Sequence, residues 1–172
     1  MPDPLTLTVT EVTDGDTFVA AGAEGNTITV RVWGIDAPES GQPYGSAATQ
    51  VAREVIGGAL VDVHVQDTGP YGRHIGRVRT EYEGNDVVLG RSLTLSGLAW
   101  HSRKYPTSDI LVQHEEEARR QEKGLWEQPA PTPPWEHRDA AGDTSLLEAI
   151  HEGVDAAQDG YRWGRWLWRL LS

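Results

Sequence analysis

The chain has 172 residues, enough for one domain of ordinary size with a segment to spare. Hydrophobic residues make up 38% and aromatics 8%, so a core can be buried, and 7 Trp against 1 Phe means that its bulk is mostly indole. The lack of Cys excludes disulfides, thiolate metal sites and cysteine nucleophiles, and a net charge of −11 opposes the basic surface usual in nucleic-acid binders.

Residues 1–5 lack a basic stretch followed by an apolar run, so no secretory signal is expected. No segment is long and apolar enough to span a bilayer, and the expected compartment is the cytoplasm. Residues 5–13 alternate apolar and polar, which predicts a half-buried strand. Thr17–Ala21 and Thr27–Ile35 predict two more, joined through Gly22, Gly25 and Asn26 as an antiparallel meander. Residues 36–45 contain two Pro and two Gly and read as a loop.

Ser46 is placed to cap a helix running to about Ile56, with Val51, Ala52, Val55 and Ile56 on one face and Gly57-Gly58 as the stop. Val61, Val63 and Val65 alternate in a fourth strand, residues 67–72 form a loop, and Arg73–Tyr82 predicts a fifth strand. Leu89 and Leu93 mark a short helix ending at Gly97; Ser108 is placed to cap a last core helix that runs to Lys123 and stops at Gly124. Five short strands with a helix between the third and fourth predict an α+β fold, an OB-type five-stranded barrel with three helices, over residues 1–128.

Beyond it the composition changes. Gln128–Pro134 holds four of the ten prolines, and residues 129–142 are expected to be a Pro-rich linker. Residues 143–158 predict an amphipathic helix, with Ser145 and Glu148 as a capping box and Leu146, Leu147, Ile150 and Val154 as the apolar stripe. Residues 161–171 are rich in Trp and Arg. This tail is expected to dock on its own domain, on another protein chain or on a membrane surface. Its three arginines would make a weak, salt-sensitive membrane anchor, which favours protein.

The carboxylates carry the chemistry. Asp14 and Asp16 stand two apart, so on extended backbone both leave one face, and Gly15 lets the chain turn sharply between them. Two oxygen donors converging at a strand end suit a hard cation such as Ca2+; the same residues also suit an ordinary hairpin turn. Asp36-Ala37-Pro38-Glu39 follows the third strand, where Asp36 is within reach of the same ion and Pro38 fixes the backbone that aims Glu39 and the Ala37 carbonyl; a solvated turn is the other reading.

Arg31 lies among Val30, Val32 and Trp33, and an arginine in an apolar strand needs an acceptor, either a phosphate or a structural carboxylate. Strict alternation puts Arg31 and Asp36 on opposite faces, so a shared site requires a bend, for which Gly34 is the candidate. Arg73, after Tyr71-Gly72, opens the fifth strand as a second phosphate or salt-bridge arginine.

These motifs together, Asp14-Gly15-Asp16-Thr17, Arg31, Gly34 to Glu39 and Tyr71-Gly72-Arg73, resemble in order and spacing the active-site series of the staphylococcal nuclease-like (thermonuclease) family. Gly97 to Trp100 and Glu117-Ala118-Arg119 through Lys123 to Trp126 are similar to its closing segments, so that the resemblance covers about residues 5–138. It implies a Ca2+-dependent nuclease acting on DNA, RNA or both and leaving 3′-phosphate and 5′-hydroxyl ends. Asp16, Asp36 and the Ala37 carbonyl would bind Ca2+, with Asp14 in or just outside the coordination shell. Glu39 would orient or deprotonate the water, and Arg31 and Arg73 would clamp the phosphate. The alternative is a non-catalytic nucleic-acid- or protein-binding module on the same fold, against which the complete constellation argues.

Two departures stand out. Gly69 and Pro70 replace the acidic and basic residues usual before Tyr-Gly-Arg, which stiffens the loop and removes a phosphate contact. Ser102 stands where many relatives have Tyr, leaving Tyr71 and Tyr105 to contact the nucleotide. The six histidines show no metal spacing and are expected to be structural or superficial, His101 near the pocket included; Glu115-Glu116-Glu117 is expected to be a solvated helix face. The acidity is compatible with a nuclease, which must gather carboxylates around a metal and release product. With only Lys104 and Lys123 as lysines, the composition also suits a salt-adapted cytoplasm or a GC-rich genome.

Overall fold

The computed structural model describes residues 3–69, 72–105 and 109–139. Strands β1 (Leu5–Val12), β2 (Thr17–Ala21) and β3 (Thr27–Val32) form the expected antiparallel meander. In β1 the inward residues are Leu7, Val9 and then Val12. The pairing with β2 shifts between Val9 and Glu11, a bulge that turns Val12 rather than Glu11 to the core.

Helix α1 spans Gly45–Ile56. Ser46 lies inside it and does not cap it; the N-cap position is Tyr44, in a left-handed conformation with no side-chain cap, and Gly45 N–H donates to the Gln42 carbonyl at 3.0 Å. The two-residue strand β4 (Ile35–Asp36) precedes α1; β5 (Leu60–Thr68) and β6 (His74–Tyr82) follow it, antiparallel to one another. The sequence pattern missed β7 (Asn85–Val88), which hairpins back on β6 and runs directly into α2 (Leu89–Leu95). Helix α3 spans Asp109–Arg120 and is followed by a 3-10 turn at Gly124–Glu127.

The sheet order β3-β2-β1-β5-β6 closes on itself because β3 also pairs in parallel with β6, Val32 opposite Gly76. A Cβ at Gly76 would lie 2.7 Å from a Val63 methyl, so glycine is what allows β6 to come this close to β5 here. The result is a closed five-stranded barrel with helices. Phe18, Val30, Val32, Val61, Val63 and Val78 fill its interior, with Ile56 of α1 and Leu89 and Leu93 of α2 packed among them.

Residues 1–134 form one compact unit and 135–172 another. Within the first, 128–133 carry no regular structure, but the Thr132 carbonyl accepts a hydrogen bond from Gln42 Nε2 at 3.1 Å and Pro134 is buried, so this stretch lies on the domain. Residues 134–139 are helical, inside the span expected to be linker. The expected helix over 143–158 and the Trp/Arg-rich end lie outside the described residues. Among the described residues no helix is long and apolar enough to cross a membrane.

Candidate active site

Asp16 enters the site because its backbone is held on both sides. Its carbonyl accepts from Val32 N–H at 2.8 Å, which ties it to the end of β3, and its N–H donates to Asp14 Oδ1 at 2.9 Å. Its carboxylate is buried. Oδ2 accepts the Ala37 N–H at 2.8 Å, while Oδ1 accepts Thr17 Oγ1 at 2.9 Å and Arg31 Nη1 at 2.8 Å.

Asp36 arrives by a different route. The chain bends at Gly34, where φ is +82°, and restarts as β4 (Ile35–Asp36), paired antiparallel with β8 (Trp100–His101). A two-residue strand is held by what surrounds it: Ser102 N–H donates to the Gly34 carbonyl at 2.8 Å. The bend lets Arg31 and Asp36 share one site, and Arg31 Nη2 donates to Asp36 Oδ1. Arg31 therefore bridges two buried carboxylates.

Gly15 has a reason other than the one its sequence context suggests. Its φ is not positive. A Cβ there would lie 2.8 Å from both the Ala37 and the Ala48 Cβ atoms, so Gly15 lets the Asp14–Asp16 loop nest against the Asp36–Ala37 turn and α1. Gly15→Ala is expected to cost about 1–3 kcal/mol, the usual result of overpacking a filled interior. A shift of the denaturant midpoint measures it, and an unchanged midpoint would show that the loop yields freely.

Glu39 sits on a turn fixed by its own main chain. Its N–H donates to Gln42 Oε1 at 2.8 Å, and the Gln42 N–H donates to the Glu39 carbonyl at 2.9 Å. Gln42 is buried, and sequence reasoning missed it; its only local signal is its place three residues past Glu39, between Gly41 and Pro43. Arg73 directly precedes β6. The parallel register sets Ile75 beside Arg31, and alternation puts Arg73 on the same face as Ile75. Its Nε is buried without a hydrogen-bond partner among the described residues, an orphaned cationic donor that an anion would satisfy. Tyr105 lies 6.3 Å from Trp33, ring centroid to centroid. Tyr71 lies outside the described residues.

The run at 115–117 is not all solvated. Glu115 is buried, aligned with Leu111 and Ala118 at helical spacing, a pattern that was present in the sequence. Its carboxylate accepts the His101 N–H at 2.7 Å, contacts His101 Nδ1 at 2.6 Å, and accepts Arg119 Nε at 3.0 Å and Nη2 at 2.6 Å. Arg119 stacks on Trp126 at 3.8 Å, and Trp126 meets Trp100 edge-on at 5.6 Å. Glu115 thus fastens α3 to β8, the strand that holds Asp36.

The family profile described as staphylococcal nuclease homologue matches residues 29–128. A protein named micrococcal nuclease from Shigella flexneri is 37% identical over 140 residues, 77% of this chain and 80% of that one. An uncharacterized endonuclease of Escherichia coli is 33% identical over 127 residues, 74% of this chain and 80% of its own. A probable staphylococcal-like nuclease of Oryza sativa subsp. japonica is 35% identical over 109 residues, 63% of this chain but 32% of its own. The chain belongs to the staphylococcal nuclease homologue family.

In this member of the family, charge at the site is unbalanced. Burial pushes the Asp16 carboxyl up to about 7, against the pull of Arg31 and with a further push from Asp14. Burial alone would lower the Arg31 guanidinium, but Asp16, Asp36 and Asp14 outweigh it and raise it above its ordinary value. One guanidinium faces three carboxylates, and the innermost is left under-compensated. Among the described residues no group of three or more acidic or imidazole side chains is already arranged around a metal position. Two buried carboxylates short of positive charge nevertheless fit a hard divalent cation, whose remaining ligands are commonly carbonyl, water or substrate oxygens.

Proposed function

We propose that this chain is a calcium-dependent nuclease that hydrolyses phosphodiester bonds of DNA, RNA or both, leaving 3′-phosphate and 5′-hydroxyl ends. The observation that carries the proposal is the bridge from Arg31 to Asp16 and Asp36: it gathers a phosphate-binding cation and two buried carboxylates at one point. The names of the relatives support nuclease chemistry, and the motif series supports the division of roles.

Asp16, Asp36 and the Ala37 carbonyl would hold Ca2+, with Asp14 beside them. When bound, the ion supplies Lewis acidity toward a phosphate oxygen. Arg31 and Arg73 bind the non-bridging oxygens, where negative charge grows in the transition state. The Glu39 carboxylate takes a proton from the attacking water as its oxygen bonds to phosphorus. The P–O5′ bond breaks, and the departing oxygen takes a proton from solvent. Tyr71 and Tyr105 contact the nucleotide.

Incubating the protein with single-stranded DNA, plasmid DNA and RNA tests the proposal. With Ca2+ the expected result is fragmentation, with fragments that carry 3′-phosphates. With excess chelator cutting should stop, and it should return when Ca2+ is restored. Full cutting in chelator, or binding without cutting, would overturn it.

A further inference from the structure

An open groove runs between β6 and the helices. Trp33, His64, Arg77, Val88, Arg91 and Ile110 line it. Its position follows from the register. The parallel pairing of β3 with β6 sets Arg31 beside Ile75 and Val32 beside Gly76, so Trp33 continues beside Arg77. Residues 75, 77 and 79 alternate onto one face; Ile75 is buried, and the groove opens beyond it at Arg77.

Not every cation here is spent on an acid. Arg79 is engaged by Asp86. Arg77 and Arg91 are exposed, and among the described residues neither makes a side-chain hydrogen bond or close ion pair, although Arg91 acts through space on Asp86. The Arg77 guanidinium lies over the Trp33 ring at 4.6 Å from its centroid. Stacking of this kind holds the planar fork in place while leaving its N–H edges to a ligand. Trp33 in turn touches Tyr105, so an aromatic path connects the groove with a residue proposed to contact the nucleotide. In a chain of net charge −11, two exposed arginines beside a fixed aromatic stand against the general charge.

We propose that this groove binds the phosphates of a nucleic-acid strand beyond the one being cut. Arg77 and Arg91 each take one phosphate, and Trp33 holds Arg77 ready. The inference rests on the nuclease reading for its ligand, and it goes further by giving the enzyme a reason to prefer long strands.

The test compares the parent with an Arg77→Gln/Arg91→Gln double variant; both side chains are exposed, so the fold is expected to hold. Arg53→Gln/Arg120→Gln, with the same charge change elsewhere, is the control. Binding to oligothymidylate is followed by fluorescence anisotropy in chelator at low ionic strength, where no strand is cut. The groove variant should bind about tenfold more weakly, with a log–log salt slope shallower by about 1.4, the value for two single-strand phosphate contacts. The control should match the parent. With Ca2+, preference for a long strand over a dinucleotide should fall in the same proportion, through KM on the long strand. Equal binding by parent and groove variant, an equal loss in the control, or no binding by the parent would overturn the groove. If binding falls as expected while no divalent ion supports cutting, the groove stands and the nuclease reading falls.

Discussion

Glu39→Gln is expected to lower turnover by roughly 10²–10⁴-fold at saturating Ca2+, the range that positioned general bases contribute. An amide is nearly the same size as a carboxylate but cannot take a proton from water. The substitution should leave the turn in place, because main-chain bonds hold it. The Glu39 main chain is clasped by Gln42, with bonds of 2.8 and 2.9 Å, and Gln42 in turn reaches the Thr132 carbonyl. The start of α1 presses on the same turn: a Cβ at Gly45 would lie 2.0 Å from the Glu39 carbonyl oxygen. The loss should therefore fall on kcat, with the melting temperature and the Ca2+ titration midpoint close to those of the parent. Near-native turnover at saturating Ca2+ would remove Glu39 from the role of base.

Much of this was legible because local patterns dictate local structure. Alternation in β1 and β2 and the apolar stripes of α1 and α2 place those elements within a residue or two of where they lie. Even the shared site of Arg31 and Asp36 was readable, since Gly34 is the one residue between them free to adopt a positive φ without strain. What was not legible depends on contacts far away in the chain. Strand β8 has two residues, too few for any period, and exists because Asp36 and Trp100 face each other. Glu115 is a different case: its helical spacing with Leu111 and Ala118 was there to be read. Gln42 and Trp33 have no signature of their own; one matters through Glu39, the other through Arg77.

Arg31→Met should show two large losses that separate by condition. In chelator, stability is expected to fall by about 3–5 kcal/mol, the usual result when one member of a buried ion cluster is removed and its partners are left uncompensated. The cluster is buried enough for that figure to apply: side-chain exposure is 14% for Arg31, 4% for Asp16 and 12% for Asp36. Ca2+ should restore part of the loss, because a cation held by the folded carboxylates stabilises the folded state by mass action. Turnover should not recover with it. At saturating Ca2+ it should remain roughly 10²–10³-fold below the parent, as when a single preorganised donor to a developing anion is lost. Arg31→Lys separates the two roles further: its point charge should recover stability in chelator, while an ammonium cannot make the paired contacts to a phosphate. Thermal melts with and without Ca2+, set beside kcat for both variants, measure each part. If Arg31→Met melts with the parent in chelator, the carboxylates do not depend on Arg31 for their compensation, and the bridge is not what holds the empty site together.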